Sequence, residues 1–327
     1  MASPDKSERD EFAIIARHFA PLAGTPAARG LLDDAALIEH AGAIVATTDA
    51  IVEGVHFLAD DPLDAVARKA LRVNLSDLAA KGARPLGYLL TLCWPAARRA
   101  DEIAALAQGL AADQAEYAIT LWGGDTVATP GPLMLSVTML GAAGARTPAR
   151  SDARAGDEVW VSGTIGDAGL GLRALRGEEF APAEREALIQ RYRLPRPRTD
   201  LAAAVAAHAA AAMDVSDGLI ADAGKIAAAS GLALAIEAER VPLSPAAQAW
   251  LARQADRGLA LAFLASCGDD YEILLTAPPG KAAALAAAGF TRIGAARAGQ
   301  GVVFTLAGAA LAAGPGGYAH ALGAGPR

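Results

Sequence analysis

Apolar and polar positions alternate between two periods along the chain, and the switches between those periods predict a layered α/β protein. Phe12, Ile15, Ala16 and Phe19 recur at helical spacing, so residues 7–20 are expected to open the chain as an amphipathic helix. Residues 43–48, AIVATT, are short, apolar and β-branched, and read as a buried strand that ends on Asp49. From 62 to 82 the pattern turns helical, with Pro62 near the start and Gly82 at the end, where each suits its terminus. Asn74 and Asp77, three apart, would share one face of that helix. A strand at 86–92, a helix at 101–117 and strands at 118–122 and 133–140 complete the first half.

The polar, turn-rich stretch TPARSDARAGDEV at 147–159 separates two strand-like runs and predicts a domain boundary, giving domains 1–148 and 149–327. Beyond it the pattern predicts a strand at 159–162 and helices at 168–176 and 182–191. The apolar run 201–213, which contains His208, reads as an alanine-rich helix. SDGLIADAGKIAAASG predicts a helix with Ser216 or Asp217 near its N-cap, followed by a strand at 232–237. Strands at 272–276 and 302–306 precede a glycine-rich end, and no internal repeat of fixed period is present.

Composition narrows the classes. A chain of 327 residues exceeds one ordinary core, and 53% hydrophobic residues suffice for two. The net charge of -7 disfavours nucleic acid or an anionic membrane as partner, while a small anion held through metal ions remains permitted. The opening MASPDKSERDEF carries charges where a secretory signal needs an apolar segment, so a cytoplasmic location is expected. The 201–213 run is shorter than the roughly 20 residues a bilayer requires. Cys93 and Cys267 stand far apart in no ligand spacing, which indicates neither a disulfide framework nor a structural zinc.

The chemistry lies in aspartates set in short motifs at the edges of apolar runs: LLDDAA (Asp33, Asp34), TTDAIVEGVHF (Asp49), NLSDLAAKGA (Asp77), WGGDT (Asp125), MDVSDGL (Asp214, Asp217) and CGDDYE (Asp269, Asp270). Carboxylates without cysteine or paired histidine form a hard oxygen site, which suits Mg²⁺, and Mg²⁺ suggests phosphate chemistry. Thr47 and Thr48 beside Asp49 offer further oxygen ligands at a strand end. In Gly123-Gly124-Asp125-Thr126 the glycines allow close approach to phosphate, a tight turn being the plainer alternative. Asp214 and Asp217 fall at an expected helix start, where amides attract anions while carboxylates hold cations.

Other positions carry more than one reading. His56 suits a general base, a substrate contact or a satisfied core histidine. Arg150 suits a phosphate clamp or a solvated loop. RYRLPRPR, residues 191–198, places four guanidiniums in a stretch broken by prolines, either a solvated linker or an aid in attracting a polyphosphate. SGTIGDAGLG follows a strand but its glycines run G-x-x-G-x-x-G, so close packing explains them better than a dinucleotide fingerprint. No P-loop, HRD or DFG motif occurs.

Taken in order, DDAA, TTDxxVEGVHF, NLSDLAAxGA, GGDT, the Arg-Ser before the second domain, MDxSDGL, GDDYE and the terminal GGY resemble the thiamine-monophosphate kinase family over residues 8–320. The VEGVHF and NLSDLAA blocks separate that family from other members of the aminoimidazole-ribonucleotide synthetase-like superfamily. The resemblance implies a two-domain fold of that superfamily, with an N-terminal mixed sheet that pairs in a homodimer and carries the ATP and Mg²⁺ site, and a C-terminal α/β sandwich domain completing the nucleotide and substrate site. It implies a kinase with a phosphate group as acceptor, which converts thiamine monophosphate to thiamine diphosphate with ATP as the last step of thiamine diphosphate biosynthesis.

By the same resemblance, several Mg²⁺ ions fall to Asp34, Thr47, Thr48, Asp49, Asp77, Asp125, Asp214 and Asp217. Nucleotide contacts fall to Gly124, Asp125, Arg150 and Ser216, and thiamine-phosphate contacts to His56, Asp269 and Tyr318. No further catalytic residue is assigned. Leu32 replaces a common glycine and is expected to stiffen the metal loop. Lys81 replaces a methionine, Cys267 replaces a glycine and is expected to narrow the substrate end, and Asp269 stands where Glu is common. Two alternatives stay open: another ATP-using member of the superfamily, which a substrate panel would separate, and a non-catalytic binder of nucleotide or thiamine diphosphate, which would release no ADP.

Overall fold

The structure is a computed structural model and describes residues 11–311. Two compact units divide it: one holds the described residues up to Leu78 with Ala83–Ala143, the other Ala79–Gly82 with the described residues from Gly144 onward.

In the first unit a four-stranded sheet carries helices on one face. Strands β1 (Ile44–Val52), β2 (Arg84–Pro95), β3 (Thr120–Thr129) and β4 (Met134–Ala142) lie in the order β1-β4-β2-β3, antiparallel except for the parallel pair β2 and β3. Helices α2 (Leu63–Ala80) and α3 (Ile103–Tyr117) supply Leu71, Leu75, Leu78, Leu106 and Leu110 to a core shared with Leu90, Leu92, Leu135, Val137 and Met139 of the sheet. Strand β4 alternates buried with half-buried positions, the period of a sheet packed on one side only. The expected opening helix is reduced to α1 (Glu11–Ile14) followed by a π turn over Ile15–Phe19, and residues 7–10 lie outside the described residues.

The second unit is built on seven strands in the order β11-β10-β7-β9-β5-β8-β6. They are β5 (Glu158–Val161), β6 (Ala211–Asp214), β7 (Ala233–Glu237), β8 (Ile273–Ala277), β9 (Thr291–Arg297), β10 (Gly301–Leu306) and β11 (Ala309–Ala310). Both faces are covered. Val159, Val161, Met213 and Leu274 enter one core with α4 (Asp167–Leu175), α7 (Leu219–Ser230), α8 (Pro245–Ala252) and α9 (Arg257–Ser266). Trp160, Ala212, Ile273 and Leu275 point the other way, onto α6 (Ala202–His208) and α10 (Ala282–Ala287). Helix α5 (Pro182–Arg193) packs on α4 and on α8.

Three expectations are corrected here. Strand β1 does not end at Asp49 but runs through it to Val52, because Ala50, Ile51 and Val52 keep pairing with β4. Gly123-Gly124-Asp125-Thr126 is no turn: it lies within β3, where Gly124 fits because a Cβ would overlap the Leu90 carbonyl oxygen of β2. The alanine-rich run is not one helix. It ends at His208, and Ala211–Asp214 forms β6, since four buried residues gain a ladder with β8 that outweighs alanine's helix propensity.

Candidate functional site

In the first unit, a cavity of about 560 Å³ is lined by residues of β2, β3 and β4 together with Phe19, Leu31 and the DDAA motif of the chain before β1. Asp125 of β3 pairs in register with Thr91 of β2, Thr91 with Ser136 of β4, and Ser136 with Ala50 of β1, so this row shares one face, and Asp125, Thr91 and Ser136 all line the cavity. Thr48 stands one row along, its Oγ1 at 3.1 Å from Oγ1 of the cavity-lining Thr138. Asp33 and Asp34 reach the same cavity from the loop before β1. Arg29 binds the Asp33 carboxylate and, with the Asp34 amide, holds its pKa below the usual carboxylate range. Asp33 is thereby neutralised, whereas the Asp125 side chain is exposed and makes no hydrogen bond or ion pair with a described residue.

Thr47, Asp49 and Asp77 lie on the other side of the sheet. Thr47 pairs with Met139 and Asp49 with Val137, both core residues of the helical face, and Thr47 Oγ1 donates to Asp77 Oδ2 of α2. Thr48 therefore faces away from Asp49, whereas Thr47 shares its face, because neighbours in a continuous strand point opposite ways. Gly124 lines the cavity with its backbone. Leu32 is 93% exposed, and the positive φ of this loop falls on its neighbours Arg29, Gly30 and Leu31.

His56 sits in the turn after β1. Its Nδ1 accepts from the Val52 amide at 3.0 Å, and buried Lys69 donates to its backbone carbonyl at 2.9 Å. An Nδ1 spent as acceptor places the proton of the neutral ring on Nε2, which makes His56 a donor at that atom rather than a base.

In the second unit the MDVSDG and CGDDYE segments interlock. The Val215 amide donates to Glu272 O at 2.7 Å, Tyr271 N to Val215 O at 2.8 Å and Asp269 N to Ser216 O at 2.8 Å. A Cβ at Gly268 would stand 2.6 Å from Ser216 O, so only glycine allows this approach. Asp214, Ser216, Asp217 and Asp269 are thus brought together, with Asp269 at φ 68° and accepting from the Tyr271 hydroxyl at 3.2 Å. Asp214 does not stand at a helix start as expected but ends buried strand β6. Neither Ser216 nor Asp217 caps α7: the N-cap is Gly218, and Asp222 of the first turn accepts from the Ser216 and Asp217 amides at 2.9 Å each.

Asp222 and Lys225 went unnoticed in the sequence, although they repeat at helical spacing after the motif. Lys225 Nζ binds Asp217 Oδ2 and, at 2.7 Å, Asp222 Oδ1. Burial lifts the Asp222 carboxyl above its usual range against these contacts, and the same contacts hold the Lys225 ammonium above its ordinary value although burial opposes them. Arg150 is exposed in a short turn whose carbonyl accepts from Ser230 of α7 at 2.8 Å. Asp270 serves structure: fully buried, it accepts from the Gly166 and Ala168 amides at the start of α4, and burial raises its carboxyl. Cys267 packs on Gly169, and burial pushes its thiol up to about 12. Tyr318 lies outside the described residues.

Among the described residues no three histidine, cysteine, aspartate or glutamate groups stand together as a metal cluster. The donors around the cavity are nonetheless all hard oxygens, and Mg²⁺ takes one or two carboxylates with water and substrate phosphates rather than a protein cage, so the residues fit that ion. No helix among them is long and apolar enough to cross a membrane.

Residues 32–143 match the family model "AIR synthase related protein, N-terminal domain", and residues 154–306 match its C-terminal counterpart. The thiamine-monophosphate kinase of Caulobacter vibrioides is 50% identical over 86% of this chain and 80% of that protein. The crystal structure of thiamine-monophosphate kinase from Stenotrophomonas maltophilia superposes with a TM-score of 0.76 at 39% identity, covering 86% of this chain and 90% of that one. AaThiL complexed with AMPPCP and TMP superposes at 0.75, with 32% identity over 97% and 98% of the two chains. With both halves of the two-domain fold matched and 50% identity to a relative over 86% of its length, the chain belongs to the thiamine-monophosphate kinase family.

Proposed function

We propose that the protein transfers the γ-phosphoryl group of ATP to thiamine monophosphate, giving thiamine diphosphate and ADP. The observation that carries this reading is the unit-one cavity, where uncommitted Asp125 and Asp34 stand among hydroxyls and a glycine-thinned strand in a chain that is 50% identical to a thiamine-monophosphate kinase. About 560 Å³ is within the roughly 300–1,000 Å³ of small-molecule sites.

The acceptor is a phosphate monoester whose second pKa near 6 leaves it ionised at neutral pH, so no strong general base is required. Mg²⁺ bound there supplies charge neutralisation between two phosphorylated compounds that otherwise repel. Asp34, Thr48 and Asp125 are its proposed ligands on the cavity face, and Thr47, Asp49 and Asp77 on the helical face. In the second unit Asp214 and Asp217 take the same role, with Lys225 holding one Asp217 oxygen and leaving the other available. Gly124, Asp125, Arg150 and Ser216 are the proposed nucleotide contacts. His56, donating from Nε2, and Asp269 orient the thiamine phosphate, a role also proposed for Tyr318. Transfer is direct and in line, without a phosphoenzyme.

We assign a homodimer in which the first units pair their sheets. The face opposite the helices carries exposed Ile44 and Val127, apolar side chains outside the cavity lining that a partner sheet would cover. The proposed reaction is cytoplasmic, with neither a nucleic acid nor a membrane as partner. An assay of ADP release with thiamine monophosphate and with unphosphorylated thiamine tests the reading. Only the monophosphate reacts if it holds; turnover of thiamine alone, or of neither, refutes it.

A further inference from the structure

The arginine-rich run 191–198 is not spent on the proposed reaction, and it borders a second cavity, of about 590 Å³, wholly within the second unit. Its chain path is not that of a solvated linker: Pro195 and Pro197 are buried and restrict the backbone on either side of exposed Arg196. Arg191, Arg196 and Arg198 all line the cavity. The carboxylate they face is Glu272, 2% exposed in its side chain. Arg191 donates to Glu272 Oε1 at 3.0 Å.

Arg198 comes only to 3.8 Å of Glu272 and 3.6 Å of Asp200, both beyond hydrogen-bonding distance, and its buried Nε has no hydrogen-bond partner. Arg196 makes no hydrogen bond or ion pair with a described residue. The other lining acids are engaged elsewhere: Asp167 accepts from Thr164 and Ser244, and Glu184 is paired with Arg253 at 3.5 Å. Arg191 is thus spent on Glu272 and the Asp270 carbonyl, whereas Arg196 and most of Arg198 remain for a ligand, and with Glu184 paired to Arg253 the three guanidiniums outnumber the two remaining lining carboxylates, Asp167 and Glu272. Opposite them, Leu188, Pro245 and Ala246 form an apolar wall.

We propose that this cavity is a binding site for an organic phosphate monoester, the dianion held by Arg196 and Arg198 and the organic group against Leu188 and Ala246. A tetrahedral dianion matches planar guanidinium forks that a single buried carboxylate leaves unsatisfied. The flanking prolines keep the Arg196 backbone in place before the ligand arrives, which lowers the ordering cost of binding. The site is independent of the kinase reaction, whose residues it does not include, and it needs no metal ion.

Calorimetric titration of the full chain in EDTA, with inorganic phosphate and with phenyl phosphate, tests it. Both bind saturably in the millimolar range or tighter, and phenyl phosphate binds the tighter of the two because of the apolar wall. Arg196→Ala, at an exposed position, weakens both by about 10-fold or more while leaving kcat and both KM values of the kinase assay unchanged. Arg196→Lys, which keeps the charge but not the fork, recovers only part of the affinity. Equal affinity in the wild-type and Arg196→Ala proteins, or no saturable binding without metal, overturns the proposal. An inactive kinase would refute the proposed phosphoryl transfer and leave this titration unaffected.

Discussion

At the scale of single residues, the two carboxylates of the DDAA motif differ in what they can still do. Arg29 occupies Asp33, so Asp34 remains for a cation, and Asp125 is freer still. Asp125→Asn keeps the shape but removes the charge. It is expected to lower kcat by about 100-fold or more, comparing with what even outer-shell losses cost a metal site, and to leave Tm unchanged or raised. Steady-state assay and a melting curve check both, and a collapsed Tm would make Asp125 structural instead. His56→Ala is expected to raise KM for thiamine monophosphate roughly 3- to 10-fold, the worth of one hydrogen bond, with kcat held. A collapsed kcat with KM unchanged would make His56 an acid or base, contrary to its Nδ1 acceptor geometry.

Among elements, the β2–β3 pair carries the cavity and depends on one missing methyl group. Gly124→Ala would drive a Cβ into the Leu90 carbonyl oxygen and force the parallel ladder apart. The expected cost is about 1–3 kcal/mol, read as a lowered urea midpoint together with lost activity. An unchanged midpoint would show that the strand gives way freely. This glycine also marks where sequence reading stopped short. Helix α2 was legible between Pro62 and Gly82 because its apolar stripe is long and its ends carry suitable residues. The GGDT segment was not, since glycines signal a turn locally and only the partner strand shows that they admit its backbone. Strand β6 was hidden for a related reason: Ala211 and Ala212 look helical alone, and pairing with β8 decides otherwise. The aspartates themselves were legible as motifs, but their faces were not. That Thr48 and Asp49 separate follows from β1 continuing to Val52, which no local pattern announces. Asp222 and Lys225, which hold the Ser216–Asp217 loop, lay inside an ordinary amphipathic helix.

For the whole molecule, a sheet covered on one face only asks for a partner. Pairing of two first units would bury Ile44 and Val127, so sedimentation is expected to give twice the 33.0 kDa chain mass. Val127→Lys places a charge on that face and is expected to shift the population toward single chains, whereas a wild-type mass of one chain would refute the pairing. The second unit differs: its sheet is covered on both faces, and its aspartates, held by interlocked loops, need no such partner for their placement.

The central claim is that carboxylates far apart in the chain serve cations, and the cations serve phosphates. Anomalous diffraction from crystals grown with Mn²⁺, a non-hydrolysable ATP analogue and thiamine monophosphate tests it most directly. Anomalous peaks are expected within coordination distance of Asp34 and Asp125 and of bound phosphate oxygens. Ordered nucleotide with no peak at either carboxylate would contradict it.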